Sequence, residues 1–230
     1  MWTYSLRAVP WPLVLSCSAL QVILVMLVEY DPWRLWPLQG IAVGLLAAVA
    51  GWCLDEPAAG VVDPSPRGIR WRTSARLIGV VLPLVVWLAM VRWAREAMFG
   101  HWWAVSLQGV TAVMVSLAWG VWRRSCAVAS PGQRWGAVVV PMVTAWALIR
   151  PASLRLPVFP YATDQVGGSW TSSTVGWSVA GVAAMAVLVV VLSGDGRMPR
   201  VRPPRRRPVP RHGMSPGTVA PAAHRAMMDP

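Results

Sequence analysis

Six apolar runs, each cut off by a short polar stretch, limit what this chain can become. They span residues 11–28, 36–54, 77–93, 103–122, 135–149 and 175–192. Roughly 20 mainly apolar residues cross about 30 Å of hydrocarbon as a helix. Within lipid every backbone polar group has to be satisfied internally, which favours that form. The expectation is an all-α, polytopic integral membrane protein with about six transmembrane helices in residues 1–192. Residues 193–230, rich in Arg and Pro, cannot bury enough apolar surface to fold alone and are expected to form a disordered cytoplasmic tail.

Composition agrees with a membrane setting. Charged residues make up 13% of the chain, against about 25% in soluble domains. There are 16 Trp against 2 Phe and 3 Tyr, and Trp favours the headgroup level. All 21 basic residues are Arg, a bias that points to a GC-rich, actinobacterial genome. The net charge of +12 raises a nucleic-acid reading. The arginines, however, sit in short inter-run loops and the tail, where orientation and contact with anionic lipids account for them. Cys17, Cys53 and Cys126 make no disulfide framework. The first run continues into Glu29-Tyr30-Asp31 without a small-residue cleavage site, so no removable signal peptide is expected.

Small residues recur along two runs. Gly40, Gly44, Ala48 and Gly51 form one stripe, and Gly176, Ala180 and Ala184 another. Such stripes let helix backbones approach closely, within a subunit or between subunits. Cys17, Ser18 and Gln21 share a face of the first run, and Gln108, Thr111 and Ser116 lie within the fourth. Hydrogen bonding to neighbouring helices explains polar residues of this kind better than a polar path does. Pro83 and Pro141 fall inside runs, where a membrane helix tolerates them. The fifth run is short, and residues 151–174 form a long loop whose Leu154, Leu156, Val158, Phe159 and Tyr161 fit a partial return into the membrane surface.

The longest polar interruption in the first half is Asp55–Arg76. Its prolines and glycines forbid one continuous helix. From Gly68 on, Ile69 and Trp71 with Arg70, Arg72 and Arg76 fit an interfacial segment leading into the third run. Asp55 and Glu56 are expected to be solvated or paired with nearby Arg. With the N-terminus inside and six crossings, sixteen arginines fall inside and five outside. The positive-inside rule therefore gives N-in, C-in, in a bacterial cytoplasmic (inner) membrane.

The sequence also excludes chemistry. It has no P-loop ATPase motif, no HExxH and no Cys/His cluster with metal spacing. His101 lies in a loop and His212 and His224 in the tail, which speaks against a haem held by two histidines in the bundle. Acidic or basic groups near mid-run, usual in ion-coupled carriers, are missing. Glu29, Asp31, Glu96 and His101 share the outer side but follow no catalytic spacing. No catalytic residue, cofactor or metal ligand is expected.

The span pattern, the basic loop Asp55–Arg76 and the long outer loop Pro151–Thr174 together resemble the membrane (permease) subunit of ABC-2-type exporters. The stretch LDEPAAGVVDPSPRGIRWRTSARL also looks like loops of small actinobacterial permease-like proteins. The resemblance implies a separate P-loop ATPase docked on the second-to-third-span loop through Arg67, Arg70, Trp71, Arg72 and Arg76. It also implies a second membrane subunit, identical or homologous, and an amphipathic or lipid-like substrate. Members carry an amphipathic interface helix before the first span, for which ten residues leave little room here. The other reading is a non-catalytic structural or assembly subunit of a larger membrane complex.

Overall fold

A computed structural model of the chain describes residues 7–56, 69–126, 128, 130–149, 158–160 and 169–194. All of them lie in the compact unit Met1–Arg197. Of the residues singled out above, Arg67, most of the outer loop and the tail beyond Gly194 fall outside this set. Among the described residues the structure is all-helical, with six α-helices and no strand. These are α1 (Trp11–Tyr30), α2 (Leu35–Trp52), α3 (Ile69–Trp93), α4 (Trp102–Ser125), α5 (Pro131–Ile149) and α6 (Ser169–Ser193).

The helix ends have local causes. Pro12 stands in the first turn of α1, where the missing N–H costs nothing. It stops where Asp31 turns extended ahead of Pro32, and the Asp31 N–H closes on the Leu27 carbonyl at 3.0 Å. A single 3₁₀ turn, Pro32–Arg34, then leads into α2. Between α3 and α4 the chain reverses through Phe99 and Gly100, at φ 50° and 83°. That left-handed pair suits Gly100 and strains Phe99. Pro83 and Pro141 lie within continuous helices.

Three helices differ from the sequence reading at their starts, among them α6, which begins at Ser169, so that residues 169–174 are helix rather than part of the outer loop. α3 begins at Ile69, so Arg70, Trp71, Arg72 and Arg76 belong to its first two turns rather than to a loop. α5 begins at Pro131, four residues before the apolar run, because its polar first turn is held from outside, as described below. Four helices, α1, α3, α4 and α6, are long and apolar enough to cross a membrane, and they suggest a membrane-embedded protein. α2 holds a shorter apolar stretch, Pro37–Trp52.

α2 is central. Ala42, Val43, Leu46 and the run from Ala47 to Ala50 are all buried, and α2 packs on α1, α4 and, most extensively, α5. α4 is the second hub, with 61% of its apolar window buried, against 11% for α6. α6 therefore lies at the edge, packed on α4. Its Val175, Val179, Val182 and Val190 are exposed, as suits residues that face hydrocarbon rather than water.

The predicted stripe on α2 lies at the α2–α5 seam. Cβ atoms added to Gly40, Gly44 and Gly51 would meet Ala147, Val143 and Trp135 of α5 at 2.7, 3.5 and 3.0 Å, and Ala48 is fully buried. On α6 the close approach is made one turn further on. Gly181 faces Thr111 of α4, at 3.2 Å from a Cβ added there, and Ala184 is buried. Ala180 is half-buried, and Gly176 has nothing within 4 Å. Ser18 and Ser116 each donate to the carbonyl four residues back, at 2.8 and 2.9 Å. Ser116 also accepts from the Trp135 indole at 2.8 Å. The expected bonding to a neighbouring helix is made by Ser116; Ser18 bonds within α1 instead, and the buried Gln21 amide has no protein partner.

Successive helices alternate in direction. Glu56 beyond α2 meets Arg72 and Arg76 at the start of α3 and Arg124 at the end of α4. At the opposite end, Trp33 meets Phe99 with ring centroids 5.8 Å apart. There too His101, before α4, stacks on Trp170 at the start of α6, at 4.1 Å and 7°. Burial lowers the pKa of the His101 imidazole.

Candidate functional site

The stretch that the sequence singled out folds into a junction of helix ends. α2 closes at Trp52, and hydrogen bonds from the Leu54 and Asp55 N–H groups to Gly51 and Trp52 tighten the turn that follows. This turn delivers two adjacent carboxylates to the same end of the bundle, and they do different work.

Asp55 caps another helix. Its carboxylate accepts from the Gly132 N–H at 2.6 Å and from the Gln133 N–H at 2.8 Å. These are the second and third residues of α5, whose N–H groups have no partner within the helix. A capping side chain ordinarily comes from the residue just before a helix; here it comes from about 77 positions away in sequence. The carboxylate also lies at the positive end of the α5 dipole. Burial raises the Asp55 pKa, against the opposing pull of the two N–H groups and of Arg124 and Arg76.

Glu56 is a hub. Its Oε2 lies 2.8 Å from Arg124 Nη2 and 3.6 Å from Arg72 Nη1, and its Oε1 lies 3.4 Å from Arg76 Nη2. The side chains of Glu56, Arg76 and Arg124 are 5%, 5% and 8% exposed and that of Arg72 12%. Arg76 also donates to the Asp55 carbonyl, and Arg124 donates to the Val128 carbonyl at 3.4 Å. Nearer the start of α3, Arg70 donates to the Leu192 carbonyl near the end of α6. Side chains from Asp55 to Arg76 thus tie together the end of α2, the start of α3, the end of α4, the start of α5 and the end of α6.

Of the residues predicted to couple to a partner, Arg72 and Arg76 turn inward onto Glu56, Arg70 is exposed on the α3 start, and Trp71 is half-buried. Arg67 lies outside the described residues. The sequence reading missed Arg124, because it is 68 positions from Glu56 in the chain. A lone arginine at a helix end carries no local signal for such a contact. An aromatic group flanks the junction: the Arg123 guanidinium lies over Trp119 and Trp122, at 5.5 and 5.8 Å from the ring centres.

Chemically, the junction is an anchored, positively charged helix-end cluster. Among the described residues Arg7, Arg70, Arg72, Arg76, Arg123, Arg124 and Arg134 lie at this end, with Asp55 and Glu56 as the acidic residues. Arg34, Arg92 and Arg95 lie at the other end. Compared with protein-family models, with curated proteins and with solved structures, the chain matches none.

Proposed function

We propose that this chain is the membrane-spanning subunit of an ABC-type exporter, in which a separate P-loop ATPase drives the translocation of an amphipathic or lipid-like substrate. The observation that carries the reading is the junction. A partner bearing on the segment between Glu56 and Arg70 pushes on a cluster that joins the ends of five helices, so its motion reaches most of the bundle at once. Arg70 and Trp71 meet the ATPase surface, and Arg72 and Arg76 carry the displacement inward through Glu56. All six helices cross, and a second membrane subunit, identical or homologous, completes the pore.

The arginine asymmetry supports placing the junction, and with it both termini, in the cytoplasm of a bacterial inner membrane. That is also where ATP is available. Arginines at this boundary contact anionic headgroups as well.

Gentle detergent purification of tagged protein from its host, with mass spectrometry of what accompanies it, tests the reading. A P-loop ATPase in near-stoichiometric amount is expected. Arg70→Glu is then expected to lower transport-coupled ATP hydrolysis several-fold with membrane insertion unchanged. Recovery of other membrane subunits and no ATPase would instead make the chain a structural or assembly component.

A further inference from the structure

Most arginines at the junction end are engaged by protein groups. Arg72, Arg76 and Arg124 converge on Glu56, and Arg70 donates to the Leu192 carbonyl. Arg123 and Arg134 meet no carboxylate and no carbonyl among the described residues. The acidic groups at this end are already engaged, Glu56 by three arginines and Asp55 by the Gly132 and Gln133 N–H groups.

Arg123 is nevertheless held in place. Its guanidinium lies over Trp119 and Trp122, at 5.5 and 5.8 Å from the ring centres. The rings attract the cation through their faces. The N–H donors at the edge of the planar fork are left for an oxyanion. The aromatic support continues onto α5. Trp119 lies 5.6 Å from Trp135, whose indole donates to Ser116 of α4. Trp135, Val138 and Met142 are spaced three and four apart, so they share one face of α5. Trp135 is half-buried, whereas Val138 and Met142 are 59% and 56% exposed. Beyond Trp135, that face is open along the α4–α5 seam. Arg134, beside Trp135 in the first turn of α5, is exposed.

From the helix ends inward, the seam presents unpaired positive charge, then a tryptophan layer, then open aliphatic surface. An anionic phospholipid has the matching order of phosphate, ester level and acyl chain. Tryptophan favours the headgroup level, and the arginine fork fits phosphate oxygens. A zwitterionic lipid carries its own ammonium beside the phosphate, and a soluble anion has no use for the aliphatic surface. We propose that the junction-end rim of the α4–α5 seam is a binding site for one anionic phospholipid. Its phosphate accepts from the edge of Arg123, Arg134 supplies a second positive charge, and an acyl chain lies along Val138 and Met142. The site narrows to two arginines the headgroup contact included in the exporter reading. It rests on the membrane placement in that reading, but on neither the ATPase partner nor the sidedness.

Native mass spectrometry tests the site, using the full chain delipidated in mild detergent and then offered phosphatidylglycerol. One retained phosphatidylglycerol per chain is expected, with phosphatidylcholine of the same acyl chains retained far less. Arg123→Gln is expected to lower the phosphatidylglycerol affinity by about ten-fold or more, the effect of losing charge-assisted hydrogen bonds. Arg123→Lys should recover only part of it, because an ammonium keeps the charge without the fork. Arg134→Gln should lower the affinity by less, and Arg95→Gln, at the other end of the bundle, should leave it unchanged. If Arg123→Gln does not fold, Arg134→Gln, at an exposed position, carries the test. Equal retention of the two lipids, unchanged affinity in the Arg123 and Arg134 variants, or displacement of the lipid by inorganic phosphate would each overturn the site. Retention of neither lipid would count against the membrane placement as well.

Discussion

Replacing Glu56 by glutamine is expected to cost about 3–5 kcal/mol of stability, the usual effect of removing one partner from a buried ion pair. The size follows from the surroundings. Glu56 is the carboxylate on which Arg72, Arg76 and Arg124 converge, and three of these four side chains are less than 10% exposed. A neutral amide leaves guanidinium charge in a place that water reaches poorly. Thermal unfolding in detergent should show a large drop in midpoint. Glu96→Gln provides the contrast. The Arg95–Glu96 pair is long, at 3.9 Å, and its side chains are 49% and 87% exposed. An exposed pair of that kind is worth at most about 1 kcal/mol, so Glu96→Gln should leave the midpoint nearly unchanged. Equal effects at the two positions would contradict the hub.

The second large effect is expected at the α2–α5 seam. A Cβ on Gly132 would lie 2.7 Å from the Trp52 backbone nitrogen and closer still to the Gly51 carbonyl. Both neighbours are backbone, so neither can rotate aside. Gly132→Ala therefore forces α5 off α2 and pulls the Gly132 and Gln133 N–H groups away from Asp55. Overpacking alone costs about 1–3 kcal/mol, and loss of a cap adds about 1 kcal/mol. Gly176→Ala is the control. It adds a methyl group where nothing lies within 4 Å, and alanine favours a helix over glycine. Thermal unfolding should show a clear loss for Gly132→Ala and no loss, or a slight gain, for Gly176→Ala. A tolerated Gly132→Ala would mean that the two helices do not meet as closely as the structure places them.

This contrast marks where the sequence was legible. Spacing alone made Gly176, Ala180 and Ala184 as good a packing stripe as Gly40, Gly44 and Gly51. Periodicity gives a face, but in a membrane lipid and protein are equally apolar, so it does not say which of them that face meets. The apolar runs themselves were readable because burying a backbone in hydrocarbon demands a helix. The junction was readable in part. The pairing of Asp55 or Glu56 with neighbouring arginines was an expectation that followed from proximity in sequence. The α5 cap and the link to Arg124 join residues about 70 or more positions apart, and only the fold brings them together. Gln39, which donates to Gln108 of α4, gave no signal either, since one amide inside an apolar run looks the same whether it faces a neighbour or lipid.

The functional account rests on the junction facing the compartment that holds ATP, and the chain carries its own reporter. Cys17 and Cys53 are buried, whereas Cys126 is exposed at the junction end, just after α4. A membrane-impermeant maleimide should label the protein in inverted inner-membrane vesicles and spare it in intact spheroplasts, and Cys126→Ser should abolish the labelling. Labelling of Cys126 in intact spheroplasts would put the junction outside the cell, beyond the reach of any cytoplasmic ATPase, and would contradict the exporter reading.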